Sequence, residues 1–180
     1  WYKKAANEGN TDMFKKIAFL YENNNTIYIN DYTEVQSWFQ KAIDNTTDLD
    51  EKANLYNFIA ELYRNSKLTF PKNYAKAIQF YKKALFNSTD QKYKSTIISI
   101  IAKMYSSSSA ELLNTGIDQD YEEAKKWYLN AIDLNIDNKQ KSTLMWYIYK
   151  LYETGGINLE KSKSEAKYWK KKSDSIYYQK

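Results

Sequence analysis

Apolar residues recur along this chain at i, i+4, i+7 and i+8 in four separate segments. They are Met13, Ile17, Leu20 and Tyr21; Leu55, Ile59, Leu62 and Tyr63; Ile97, Ile101, Met104 and Tyr105; and Leu144, Ile148, Leu151 and Tyr152. That spacing gathers each set into one stripe along a helix of 3.6 residues per turn. A second pattern follows each stripe. Trp38, Phe80, Trp127 and Trp169 each have Val35, Ala77, Ala124 or Ala166 three positions earlier. Three of them are followed by a second ring and a small residue: Phe39 and Ala42, Tyr81 and Ala84, Tyr128 and Ala131. Trp1, Tyr2 and Ala5 open the chain in the same phase, so the anchors fall 37, 42, 47 and 42 residues apart. A recurrence of this length marks a repeat architecture in which each unit buries its apolar face on the next.

The helix starts are legible too. Asp31, Asn73, Asp120 and Ser162 each lie seven residues before an aromatic anchor and are good N-cap types. Glu34, Glu123 and Glu165 stand three residues further on, the pattern of a capping box, with Lys76 in the remaining case. Together these patterns predict eight helices in four pairs, over 11–23 and 31–45, 51–65 and 73–87, 91–107 and 120–135, and 139–153 and 162–177. The segment 106–119 is the longest connection, and Gly155 and Gly156 suit a left-handed C-terminal cap. The whole of 1–180 reads as one domain: repeats at 9–48, 49–89, 90–136 and 137–180, after the end of a preceding repeat at 1–8. In the last repeat Lys170, Ser173 and Asp174 replace apolar residues, as expected of a terminal cap. Trp1, Tyr2, Ala5 and Ala6 carry an apolar stripe with nothing before it, so the chain is expected to continue upstream.

These columns resemble the SEL-one-like repeat family, a branch of the tetratricopeptide-type solenoids. Ile17-Ala18 with Tyr21, Ile59-Ala60 with Tyr63 and Ile101-Ala102 with Tyr105 match the end of the family's first helix, with Ala in place of its small Gly. Asp120, Ala124, Trp127, Tyr128 and Ala131 match its second helix, as do Trp1-Tyr2-Lys3-Lys4-Ala5-Ala6. Tyr149 departs from the pattern, standing where the other repeats have Ala18, Ala60 and Ala102, so the last pair must pack differently there. The resemblance implies an all-α fold, a right-handed α-solenoid of antiparallel helix pairs. It also implies a scaffold that holds a partner on the concave surface lined by the first helices. Such proteins serve in signalling, envelope assembly, host interaction and toxin neutralisation.

Composition narrows the chemistry. The chain has no histidine and no cysteine, which removes the commonest general base, the usual zinc ligands and any disulfide. No glycine-rich phosphate loop or metal motif is present, so no catalytic residue, cofactor or metal site is expected and the chain is read as a non-enzyme. Net charge is +5, yet Arg64 is the only arginine and the lysines alternate with acidic residues, against specific nucleic-acid recognition. The excess of Lys, Asn, Ile and Tyr points to an AT-rich genome. No run of about 18 apolar residues occurs, so no helix is expected to span a membrane.

The aromatic columns on the stripes read as core. Candidate contacts are off the stripes of the first helices: Lys16, Phe58, Ile100 and Tyr147 in one column; Phe19, Glu61, Lys103 and Lys150 in another; Lys15, Asn57, Ser99 and Trp146 in a third. Rings edged by charge resemble binding hot spots. The partner site is therefore placed at Phe19, Phe58, Glu61, Ile100, Lys103, Trp146, Tyr147 and Lys150, with another protein as partner and a cell-wall or exopolysaccharide glycan as the alternative. The competing reading is that position 58 and its equivalents only touch the neighbouring helix.

Overall fold

The computed structural model describes residues 16, 32–65, 71–134 and 136–178. Of the expected helix 11–23 only Lys16 is described, and the cap Asp31 and the segment Trp1–Asn7 lie outside the described residues. Among those described, every regular element is helical: α1 Tyr32–Asn45, α2 Leu49–Asn65, α3 Tyr74–Asn87, α4 Gln91–Tyr105, α5 Ser109–Leu112, α6 Tyr121–Ile132, α7 Asn138–Thr154 and α8 Lys163–Tyr177. The chain divides after Ser88 into two compact units. In the first, α2 packs against α1 and α3; in the second, α4 packs on α6, α6 on α7 and α7 on α8.

The stripes form the cores. Ile59, Leu62 and Tyr63 are buried on α2, Ile97, Ile101 and Met104 on α4, and Leu144, Ile148 and Leu151 on α7. Each such side chain contributes roughly 1.5–3 kcal/mol on burial. The second-helix columns supply the opposing surface, with Phe39, Ala42, Ala77, Tyr81, Ala84, Ala124, Tyr128 and Ala131 all at most 1% exposed. Alanines at these positions let neighbouring helices approach closely.

One hydrogen bond closes each described helix pair. The backbone N–H of Asn73 donates to the carbonyl of Tyr63, Asp120 to Tyr105 and Ser162 to Tyr152. The last tyrosine of each first helix is thus tied to the N-cap of the second. The cap side chains also accept as expected, Asn73 from the Lys76 amide, Asp120 from Glu123 and Ser162 from Glu165. The tie to tyrosine changes the expected capping box, because the N-cap N–H that Glu123 would accept is already used. The Glu123 carboxylate instead accepts from the Trp127 indole Nε1 at 3.0 Å.

The connection 106–119 contains an element that the repeat pattern did not predict. Ser108 and Glu111 make a reciprocal capping box that starts the short α5. Gly155 and Gly156, expected as one cap, serve different ends. Gly155 caps α7 at φ 68° and ψ 164°, a region that is essentially glycine's alone and not the left-handed helical one. Gly156 lacks a positive φ, but a Cβ there would lie 2.7 Å from the Tyr121 ring.

Candidate functional site

Ile100 and Lys103 on α4 and Tyr147 on α7 line a single groove of about 410 Å3 within the second unit. Both helices pack on α6, and the groove lies between their off-stripe faces. Ile100, Leu144 and Tyr147 supply its apolar surface. Tyr147 is held in place by stacking on the buried Tyr128, with ring centroids 5.3 Å apart, and Lys103 Nζ lies 4.7 Å from its centroid. Burial pushes the Tyr128 hydroxyl well above its usual pKa, against a hydrogen bond with Ser106 that pulls the other way, so Tyr128 is a neutral structural ring.

The walls are rich in hydroxyl groups. Thr96, Ser99 and Thr143 each donate to the carbonyl four residues back in their own helix, at 3.0, 2.7 and 2.9 Å. Their oxygens keep acceptor capacity toward the groove. Lys92, Lys103 and Lys139 stand on the lining, all exposed, and none of them forms an ion pair among the described residues. The one acidic residue of the lining, Asp137, caps α7 by accepting from the Gln140 amide.

Trp146 and Lys150 lie beside the groove and do not line it. Trp146 is 44% exposed, with edge-on contacts to Tyr147 and Tyr149 at 5.5 and 6.3 Å. Lys150 and Tyr149 both donate to Glu153, which holds that carboxyl below its usual range, and Lys150 Nζ lies 5.7 Å from the Trp146 ring centre. The result is an exposed ring bordered by one cation, Lys150.

Phe58 and Glu61 belong to the first unit. Phe58 is half-buried against Phe39, at 4.8 Å between centroids, and both line a separate groove with Leu55 and the acidic Asp48, Asp50 and Glu51. Glu61 is engaged internally. It pairs with Arg64 at 2.6 Å, accepts from Asn65 at 2.8 Å and accepts from the buried Tyr81 hydroxyl. Burial pulls the Glu61 pKa up, but the hydrogen bonds from Arg64 and Tyr81 outweigh it and the net shift is downward. Phe19 lies outside the described residues. Residue-by-residue reading missed Lys92, Lys139, Thr96 and Thr143. They stand five and one positions before the stripe, and the same column arithmetic would have found them.

Helix pairs joined at a tyrosine carbonyl, with buried alanine columns between the packed helices, define the α-solenoid class. Sel1 repeat models match residues 1–10, 55–85, 107–136 and 150–173, and the chain belongs to the Sel1 repeat family. Sel1 repeats generally mediate protein–protein interaction, and the family is typically a non-catalytic scaffold. Among solved structures, the chain is similar to a protective antigen of uropathogenic Escherichia coli strains displaying an SLR fold. The two are 16% identical with a TM-score of 0.36, over 97% of this chain and 48% of the antigen. The chain therefore spans about half of that protein's length. Comparison with curated proteins finds no match. No described helix is long and apolar enough to cross a membrane.

Proposed function

We propose that this chain is a non-catalytic interaction scaffold that holds a segment of a partner protein in the groove between α4 and α7. The supporting observation is that Ile100, Lys103 and Tyr147 line one groove, with Tyr147 braced from behind by Tyr128. A pre-positioned ring with apolar neighbours and a charged edge loses little side-chain freedom on binding, which favours affinity. Tyr147→Ala and Ile100→Glu should each weaken partner binding at least about tenfold, the range of a binding hot spot. Titration calorimetry with the partner, alongside far-ultraviolet circular dichroism of each variant, would measure this. Unchanged affinity in both variants would sink the groove.

A second reading is kept by one observation, the 44% exposure of Trp146 among Tyr149 and Lys150. Such a ring could stack on a sugar of a cell-wall or exopolysaccharide glycan. The protein-partner reading predicts a flat tryptophan fluorescence titration with cell-wall oligosaccharides. A saturable change that disappears in Trp146→Ala would favour the glycan instead.

A further inference from the structure

We infer that the segment held between α4 and α7 is acidic, an extended peptide with Asp or Glu side chains spaced around one apolar anchor. This rests on the partner-groove reading above and adds the chemistry of the partner. Three lysines, Lys92, Lys103 and Lys139, stand on the lining of a single groove and none has an ion-pair partner among the described residues. Elsewhere in this unit lysines do pair: Lys125 with Glu122, Lys126 with Glu123 and Lys150 with Glu153. The groove's own carboxylate, Asp137, caps α7, and one carboxylate against three lysines leaves the lining with a surplus of positive charge.

The uncharged groups fit the same ligand. Thr96, Ser99 and Thr143 spend their protons on their own helices, so toward the groove they act as acceptors for N–H donors. An extended peptide offers such donors along its backbone, and Gln140 can serve as either donor or acceptor. Beside these hydroxyls on the same lining, Ile100, Leu144 and Tyr147 leave an apolar seat for a single ring or aliphatic side chain. A nucleic-acid strand fits less well, because the chain's only arginine, Arg64, is in the other unit and is paired there with Glu61. The contrast within the chain is a further point of specificity. The column that carries Lys92 and Lys139 holds Asp50 in the first unit, where the equivalent groove is acidic.

The test uses the whole chain and three fluorescent peptides of about ten residues, long enough to run roughly 33 Å when extended. Each has one central Phe. One is otherwise Asp and Glu, one Asn and Gln, and one Lys. The acidic peptide should bind saturably by fluorescence anisotropy, at least about tenfold tighter than its amide counterpart, and should weaken as salt is raised. The triple variant K92E/K103E/K139E should lose the acidic peptide and gain the Lys peptide. The control K161E/K163E/K167E makes the same change in net charge away from the lining and should retain the acidic peptide. No saturable binding of the acidic peptide, equal binding of the amide peptide, or no exchange of preference in the triple variant would overturn the inference. Equal binding of both peptides that is still lost in Tyr147→Ala would remove the acidic partner and leave the groove standing. Displacement of the acidic peptide by a single-stranded oligothymidylate at lower concentration than by the unlabelled peptide would also overturn it, in favour of nucleic acid.

Discussion

Ala102→Tyr should destabilise the chain by about 3 kcal/mol or more, the upper end of overpacking a tight core, whereas Tyr149→Ala should cost no more than about 1 kcal/mol, near the range of surface substitutions. Both positions stand in one column of the repeat, five residues after the start of the stripe. Ala60 and Ala102 there are fully buried, and the second helices of their pairs present Tyr81 and Tyr128, also buried. In the last pair the large residue has changed sides. Tyr149 is on the first helix, and the second helix presents Lys170, whose Nζ lies 5.7 Å from the Tyr149 ring centre. A tyrosine at position 102 would add a ring to a fully buried site on α4, the helix that packs on α6 and its buried Tyr128. At position 149 the ring is only half-buried, and its hydroxyl bonds to a residue of its own helix, Glu153. Urea denaturation followed by circular dichroism compares the two. Similar losses would mean that the column does not hold the same structural place in the two pairs.

Glu61→Ala should cost about 2–3 kcal/mol, because it strands a buried donor and a half-buried cation together. The Tyr81 hydroxyl, on a side chain with no exposure, and the Arg64 guanidinium both donate to this carboxylate, so α2 and α3 are joined through one group. Glu61→Gln retains an acceptor and should cost less, about 1 kcal/mol. The pH dependence separates charge from packing. Since the Glu61 pKa is lowered in the folded chain, its stabilisation is fully present above the ordinary carboxylate pKa and is lost as pH falls through the depressed value. The stability advantage over Glu61→Gln should therefore be constant near neutrality and shrink in acid. An advantage that grows as pH falls would contradict the assignment. Tyr81 adds nothing to this window, since burial and the bond to Glu61 push its hydroxyl far above its usual range.

The repeat columns carried most of the fold because core packing repeats: the stripe at Leu55, Ile97 and Leu144 is buried in each described pair. They did not carry contacts that break the repeat. The α5 turn depends on Ser108 and Glu111 inside an insertion, where there is no equivalent position for comparison. Ser173, read as part of a polar cap, is buried and donates to the Ser142 carbonyl at 2.8 Å, so it continues the small-residue column of Ala42, Ala84 and Ala131. Lys170 and Asp174 are exposed beside it. At the candidate site, periodicity placed Ile100, Lys103 and Tyr147 on one face. It gave no sign that Glu61, in the column of Lys103, would be used up by Arg64 and Tyr81, because those bonds depend on side chains outside the column. The change of charge from Asp50 to Lys92 and Lys139 was open to view in the sequence, but it gains meaning only once these positions line grooves.

The groove is tested most directly by photocrosslinking in the partner complex, with a benzophenone amino acid placed singly at Thr96, Thr143 or Lys126. Thr96 on α4 and Thr143 on α7 both line the groove, while Lys126 is exposed on α6 and is not part of it. A partner seated between α4 and α7 gives adducts from positions 96 and 143 and none from 126. Adducts from position 126 alone, with binding intact in all three variants, would place the partner elsewhere on the chain.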